Sequence, residues 1–156
     1  MARKTWETGN LFAVPLADGS YSLGQVVGRD PQALNSITCA FYRTRVAPSA
    51  LESVATVPDS RDLIAVQFTT KDLLTNRLWK VLANHPVTTP PSAFPHEDKR
   101  ARQWVGATVV GSGIIVHFLN AFFGLEPWHQ MKDPYYFDHL LLRSDLKPAS
   151  SGASSL

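Results

Sequence analysis

The chain has 156 residues and a formal net charge of +2, with 44% hydrophobic and 18% charged residues. That length fits one domain with a sizeable core and excludes most two-domain layouts, and the near-balanced charge excludes both a broad cationic surface for nucleic acid and an anionic mimic of one. With 11 prolines and 9 glycines the backbone must turn often, which excludes a bundle of long helices.

The opening MARKTWETGN is basic, but no apolar run of signal-peptide type follows it. No later segment reaches the roughly 20 apolar residues of a membrane span. NLFAVPL then sets Leu11, Ala13 and Pro15 on one face and Phe12, Val14 and Leu16 on the other. Asp18-Gly19 offers a turn into YSLGQVVG, so residues 10 to 28 read as a hairpin. Pro15 cannot donate to a ladder, which places its strand at an edge or bulges it there. A third strand fits NSITCAFYRTRV, where Ile37, Cys39 and Phe41 alternate with Thr38, Ala40 and Tyr42. The single cysteine, Cys39, has no intramolecular disulfide partner and reads as a small apolar strand residue in a reducing, cytoplasmic setting.

A fourth strand fits DLIAVQFT, after which Thr70 can cap a short helical turn through KDLL. LWKVLANHPV reads as another strand with Trp79, Val81 and Ala83 on one side, although the leucine spacing over residues 71 to 84 also suits a helix. Residues 85 to 98 hold four prolines and no periodicity, the mark of a long functional or mobile loop. Lys99, Arg100 and Arg102 form a basic knot, and Trp104, Val105, Ala107, Val109 and Val110 supply a last strand.

Two helices should close the chain. Ser112 is placed to cap the first, and Gly124 to end it in a left-handed conformation that folds Leu125 back on Leu119. Ile114, Ile115, Val116, Phe118, Leu119, Phe122 and Phe123 cover most of that helix, leaving His117 and Asn120 as a narrow polar stripe. Such a helix is core on most sides or lines a groove for a partner. Asp133-Pro134 is a second start signal, predicting a helix from Pro134 to Leu142. The fold class is therefore α+β: a strongly bent antiparallel sheet or small open β-barrel of five to six strands with two C-terminal helices packed on it. Residues 1–148 form one domain and the small, polar residues 149–156 a loose tail.

His117, Asn120, Glu126, His129, Asp133, Asp138 and His139 form the densest polar cluster, of ligand types that suit divalent ions. Their spacing matches no H-x-H, H-E-x-x-H or C-x-x-C pattern, so neither a metal nor any other cofactor is expected. His117 instead bonds inside the core with Asn120 or backbone, while His129 and His139 are partly exposed. Ser112, in V-G-S-G-I, lacks the glycine spacing of a nucleophile elbow. A hydrolase would have to use His117, His129 and Asp133 around an activated water.

GNLFAVPLADGSYSLGQVVGRD and GSGIIVHFLNAFFGLEPWHQMKDPYYFDHLLL resemble the two terminal signatures of the bacterial immunity-26 family, whose name also takes in small phosphotriesterase-like proteins. The matching positions are Phe12, Pro15, Asp18, Gly19, Tyr21, Gly24, Gln25 and Val26. Behind them come Phe118, Leu119, Gly124, Leu125, Pro127, Trp128, Asp133, Pro134, Phe137, Asp138 and Leu140. The chain departs from the family pattern at His129, where an acidic residue is expected, and at Phe123, where a histidine is common. The resemblance implies a cytoplasmic immunity protein that binds and neutralises a cognate protein toxin, with phosphotriester hydrolysis as the alternative. It implies neither a nucleic-acid nor a membrane partner. Aromatic and arginine side chains dominate binding energy, which nominates Trp128, Tyr135, Tyr136, Phe94 and Arg102 as contact residues.

Overall fold

Alternating apolar residues build β1 (Asn10–Pro15), β2 (Tyr21–Asp30), β3 (Ser36–Val46), β4 (Leu63–Thr69) and β5 (Lys80–Asn84). They join in one open antiparallel sheet of five strands, in the order β4-β3-β2-β1-β5. The computed structural model describes residues 7–30, 36–90, 93 and 109–148. Among these residues the α-helices are α1 (Asp72–Thr75), α2 (Ser112–Phe122) and α3 (Tyr136–Leu140).

The alternation sorts side chains onto two covered faces. Phe12, Val14, Val26, Ile37, Cys39 and Phe41 lie on one face, under α2 and the residues around α3. Leu11, Ala13, Leu23, Ala40, Tyr42 and Val66 lie on the other, under Leu51, Ala93 and partly buried Val57 and Val87. Gly24 sits opposite Phe12 in the β1–β2 register, and a Cβ there would come within 2.7 Å of the Phe12 ring and 2.9 Å of Ala40 O. Only glycine lets that ring lie across β2. It then stacks on Trp79, with centroids 5.1 Å apart and planes 3° from parallel.

Several expectations need correcting. β1 is an inner strand, because β5 pairs beyond it. Leu16 N–H bonds Ser20 O at 2.8 Å toward β2, so the absent N–H of Pro15 faces the other way, past Ala13, the last β1 residue that β5 pairs. The proline therefore costs no ladder bond. The strand read over LWKVLANHPV is present as residues 80 to 84, so there the helical alternative alone fails, and Trp79 is drawn into the core just ahead of them. Of the strand expected over 104 to 110 only Val109 and Val110 are described, and Val110 forms a parallel bridge with Thr69. The knot at Lys99, Arg100 and Arg102, and the tail 149–156, lie outside the described residues.

No helix among the described residues is long and apolar enough to cross a membrane. After α3 the chain runs beside the β4 edge, where Leu142 N donates to Ile64 O at 2.8 Å and Gln67 Nε2 donates to Leu140 O at 3.0 Å.

Candidate functional site

The ends of α2 set the frame of the corner that follows it. Ser112 is the first helical residue rather than the cap: its N–H donates to Thr70 Oγ1 at 2.9 Å and its hydroxyl to Asp72 Oδ1 at 2.7 Å. Thr70 thus caps α2 from across the fold, and not α1 as expected, because its hydroxyl oxygen accepts from Ser112 N–H while its proton goes to Asp72 Oδ1 at 2.7 Å. Those bonds from Thr70 and Ser112 hold the Asp72 carboxyl below its ordinary range.

At the other end Gly124 has φ +80°, Leu125 N bonds Asn120 O at 2.8 Å and Gly124 N bonds Ala121 O at 3.1 Å. This pair of bonds is the Schellman closure that the glycine forecasts. Leu125 joins the same core as Leu119. Asn120, buried, accepts from Ala17 N at 2.8 Å and donates to Val116 O at 3.0 Å, tying α2 to the β1–β2 turn. Arg45 pairs with Asp18 in that turn and lies 5.6 Å over the Phe123 ring.

The corner, residues 124 to 135, has a buried floor and an exposed rim. On the floor Phe118, Trp128 and Phe137 pack ring against ring, with centroids 5.7 to 5.9 Å apart. Trp128 is 1% exposed, and its indole N–H donates to Asp138 Oδ1 at 2.8 Å while Lys147 Nζ stands 3.1 Å from Oδ2. Partial burial pushes the Asp138 carboxyl up, but the bonds from Trp128 and Lys147 outweigh it and leave the group below its ordinary range. Trp128 is thus a core residue, and its nomination as a contact is overturned: its ring completes the cluster under the corner.

On the rim, His117 Nδ1 and Glu126 Oε1 are 2.7 Å apart, and Gln130 Nε2 donates to the same oxygen at 2.9 Å. His117 is exposed, not a core histidine as expected, because it points away from the sheet toward Glu126. His129 Nδ1 lies 2.6 Å from Pro134 O. A carbonyl can only accept, so Nδ1 carries the proton. The His129 ring meets the Tyr135 ring edge to face at 6.0 Å. Asp133 Oδ1 accepts Tyr135 N–H at 2.9 Å and Asp133 O accepts Tyr136 N–H at 3.0 Å, a turn rather than a helical start. The helix expected from Pro134 to Leu142 therefore starts only at Tyr136, and it stops at Leu140 because Leu141 is extended and Leu142 N bonds Ile64 O. Tyr135 is 59% exposed and Tyr136 half-buried against Phe137.

These positions bear on each expected site. His117, His129 and Asp133 are engaged separately, with Glu126, Pro134 and Tyr135 respectively, so the hydrolase trio is not assembled. Glu126 orients the His117 imidazole as a general base would be oriented, yet the ring lies open to water. Among the described residues no three His, Cys, Asp or Glu side chains are grouped to hold a metal ion. Phe94 and Arg102 lie outside the described residues. His139 is exposed beside a cleft of about 240 Å³ lined by Val66, Gln67, Ala93 and residues 140 to 142. Sequence reasoning missed Gln130 and Lys147. Glu126 to Gln130 crosses a non-helical corner, where a four-residue step carries no helical meaning, and nothing in the spacing links Lys147 to Asp138. No protein-family profile, curated protein or solved structure matches the chain.

Proposed function

We propose that the chain is an immunity protein that binds and blocks a cognate protein toxin through the rim of the C-terminal corner. The observation that carries this reading is Tyr135, a large side chain 59% exposed on a turn whose backbone and neighbours are fixed. Ordinarily a soluble surface tolerates such a side chain singly. Here it adjoins His129, whose ring is held to Pro134 O, on a corner that also carries the hydrogen-bonded His117, Glu126 and Gln130. A rigid aromatic anchor with a polar surround loses little side-chain freedom on binding and excludes water well.

The resemblance of the two terminal segments to immunity-26 proteins supports a toxin as the partner, and the separate engagement of His117, His129 and Asp133 favours binding over phosphotriester hydrolysis at those residues. Co-expression with the toxin domain encoded beside its gene tests the reading. The chain restores growth and co-purifies with the toxin; growth arrest despite stable expression of both proteins contradicts it.

A further inference from the structure

On the opposite side of the sheet from β4, the chain enters β5 through a turn that is strained and shows an apolar side chain to water. Arg77 has φ +67°, the one left-handed non-glycine residue among those described. The conformation is pinned from both sides: Arg77 N bonds Leu74 O at 3.1 Å, Leu78 N bonds Asn76 Oδ1 at 3.1 Å and Trp79 N bonds Leu73 O at 2.9 Å. A glycine would take this backbone without strain, so an arginine held there points to a use for its side chain. That side chain is exposed and makes no ion pair with a described residue; nor does Lys71 at the other end of α1. Next to it Leu78 is 58% exposed, while Trp79 turns into the core.

This ledge leads directly into a sheet edge that no other described strand pairs. Among the described residues β5 pairs only with β1, so its outer backbone groups face away from the sheet. The strand is five residues long, starts with a lysine and shifts register against β1 between Leu11 and Phe12. Shortness, an edge lysine and a bulge deter indiscriminate strand pairing. They leave room for an incoming strand that offers opposite charge. Lys80 is already matched by Glu52 at 3.4 Å, whereas Arg77 and Lys71, on either end of α1, meet no carboxylate among the described residues.

We propose that the Arg77–Leu78 ledge and the β5 edge form a second docking site, which takes an extended acidic segment of a partner protein as an added strand beside Lys80–Asn84. A carboxylate of that segment meets Arg77, an apolar side chain covers Leu78, and backbone bonds to β5 supply the rest. The site uses none of the corner residues, so it stands or falls independently of the toxin reading.

The test uses the full chain with two synthetic peptides, one alternating glutamate and valine and one alternating lysine and valine. Amide exchange at Lys80–Asn84 slows with the glutamate peptide and not with the lysine peptide. Arg77→Ala weakens glutamate-peptide binding about fivefold, as loss of one exposed ion pair would. Arg77→Gly weakens it equally while the thermal midpoint stays level or rises, an outcome that a purely structural arginine would not produce. Three results overturn the proposal: no protection at β5, equal protection by both peptides, or protection that grows with protein concentration in the absence of peptide. The last would identify a second copy of the chain as the occupant.

Discussion

Trp128 and Tyr135 lie in one corner of the molecule, yet one is 1% and the other 59% exposed. The floor around Trp128 is joined at every polar atom it offers: indole to Asp138, and Asp138 in turn to Lys147. The rim is ordered just as closely, through Asp133 to Tyr135 N–H, His129 to Pro134 and Gln130 to Glu126, but the Tyr135 ring, touched by His129, stays mostly open to water. Order without burial adds little to stability, whereas burial makes a residue part of the fold. The difference teaches that the corner is a rigid mount whose underside holds it in place and whose upper side is available for contact.

Substitutions should separate the two sides. Trp128→Ala empties the floor and strands Asp138, and should cost about 3–5 kcal/mol in denaturant unfolding. Asn120→Ala, which leaves the Ala17 N–H without its acceptor, should cost about 1–3 kcal/mol by the same measurement. Gly124→Ala keeps every contact but forces a side chain into φ +80°, a loss of about 1–2 kcal/mol. A rim as costly to disturb as the floor would erase the distinction.

Acid should act mainly where carboxyls are held by partners. Asp18, whose bonds from Ser20 and Arg45 hold it down to about 2, and Asp138 both have folded pKa values below the unfolded range. Groups of this sign stabilise the fold above the unfolded pKa of about 3.9 and lose that contribution as pH falls toward the folded value. The denaturant midpoint should therefore fall between about pH 4 and pH 2. Asp18→Asn should flatten that fall while leaving the midpoint near neutrality lower than in the parent chain.

Much of this architecture was legible beforehand because it is written in local patterns. The alternation at Phe12, Val14, Ile37, Cys39 and Phe41 marks one sheet face directly, and Gly124 with Leu125 announces the end of α2. What depends on tertiary partners was hidden. Ser112 looked like a cap, but Thr70 approaches from 42 positions away and takes that role. The rank of β1 within the sheet depended on where β5 returned, which no feature of NLFAVPL records. In the candidate site the residue types were visible and their exposure was not, since Trp128, Tyr135 and Tyr136 carry the same aromatic signal and differ only in what packs beneath them.

Tyr135→Ala should have the smallest effect on stability, within about 0.5 kcal/mol of the parent chain, and the largest on binding. The affinity of the parent chain and of Tyr135→Ala for the toxin domain, measured by calorimetry beside their unfolding midpoints, is the most direct test of the rim as the contact surface. The account predicts a loss of affinity of about thirtyfold or more with an unchanged midpoint. Equal affinities for the two chains would place the contact elsewhere and contradict it.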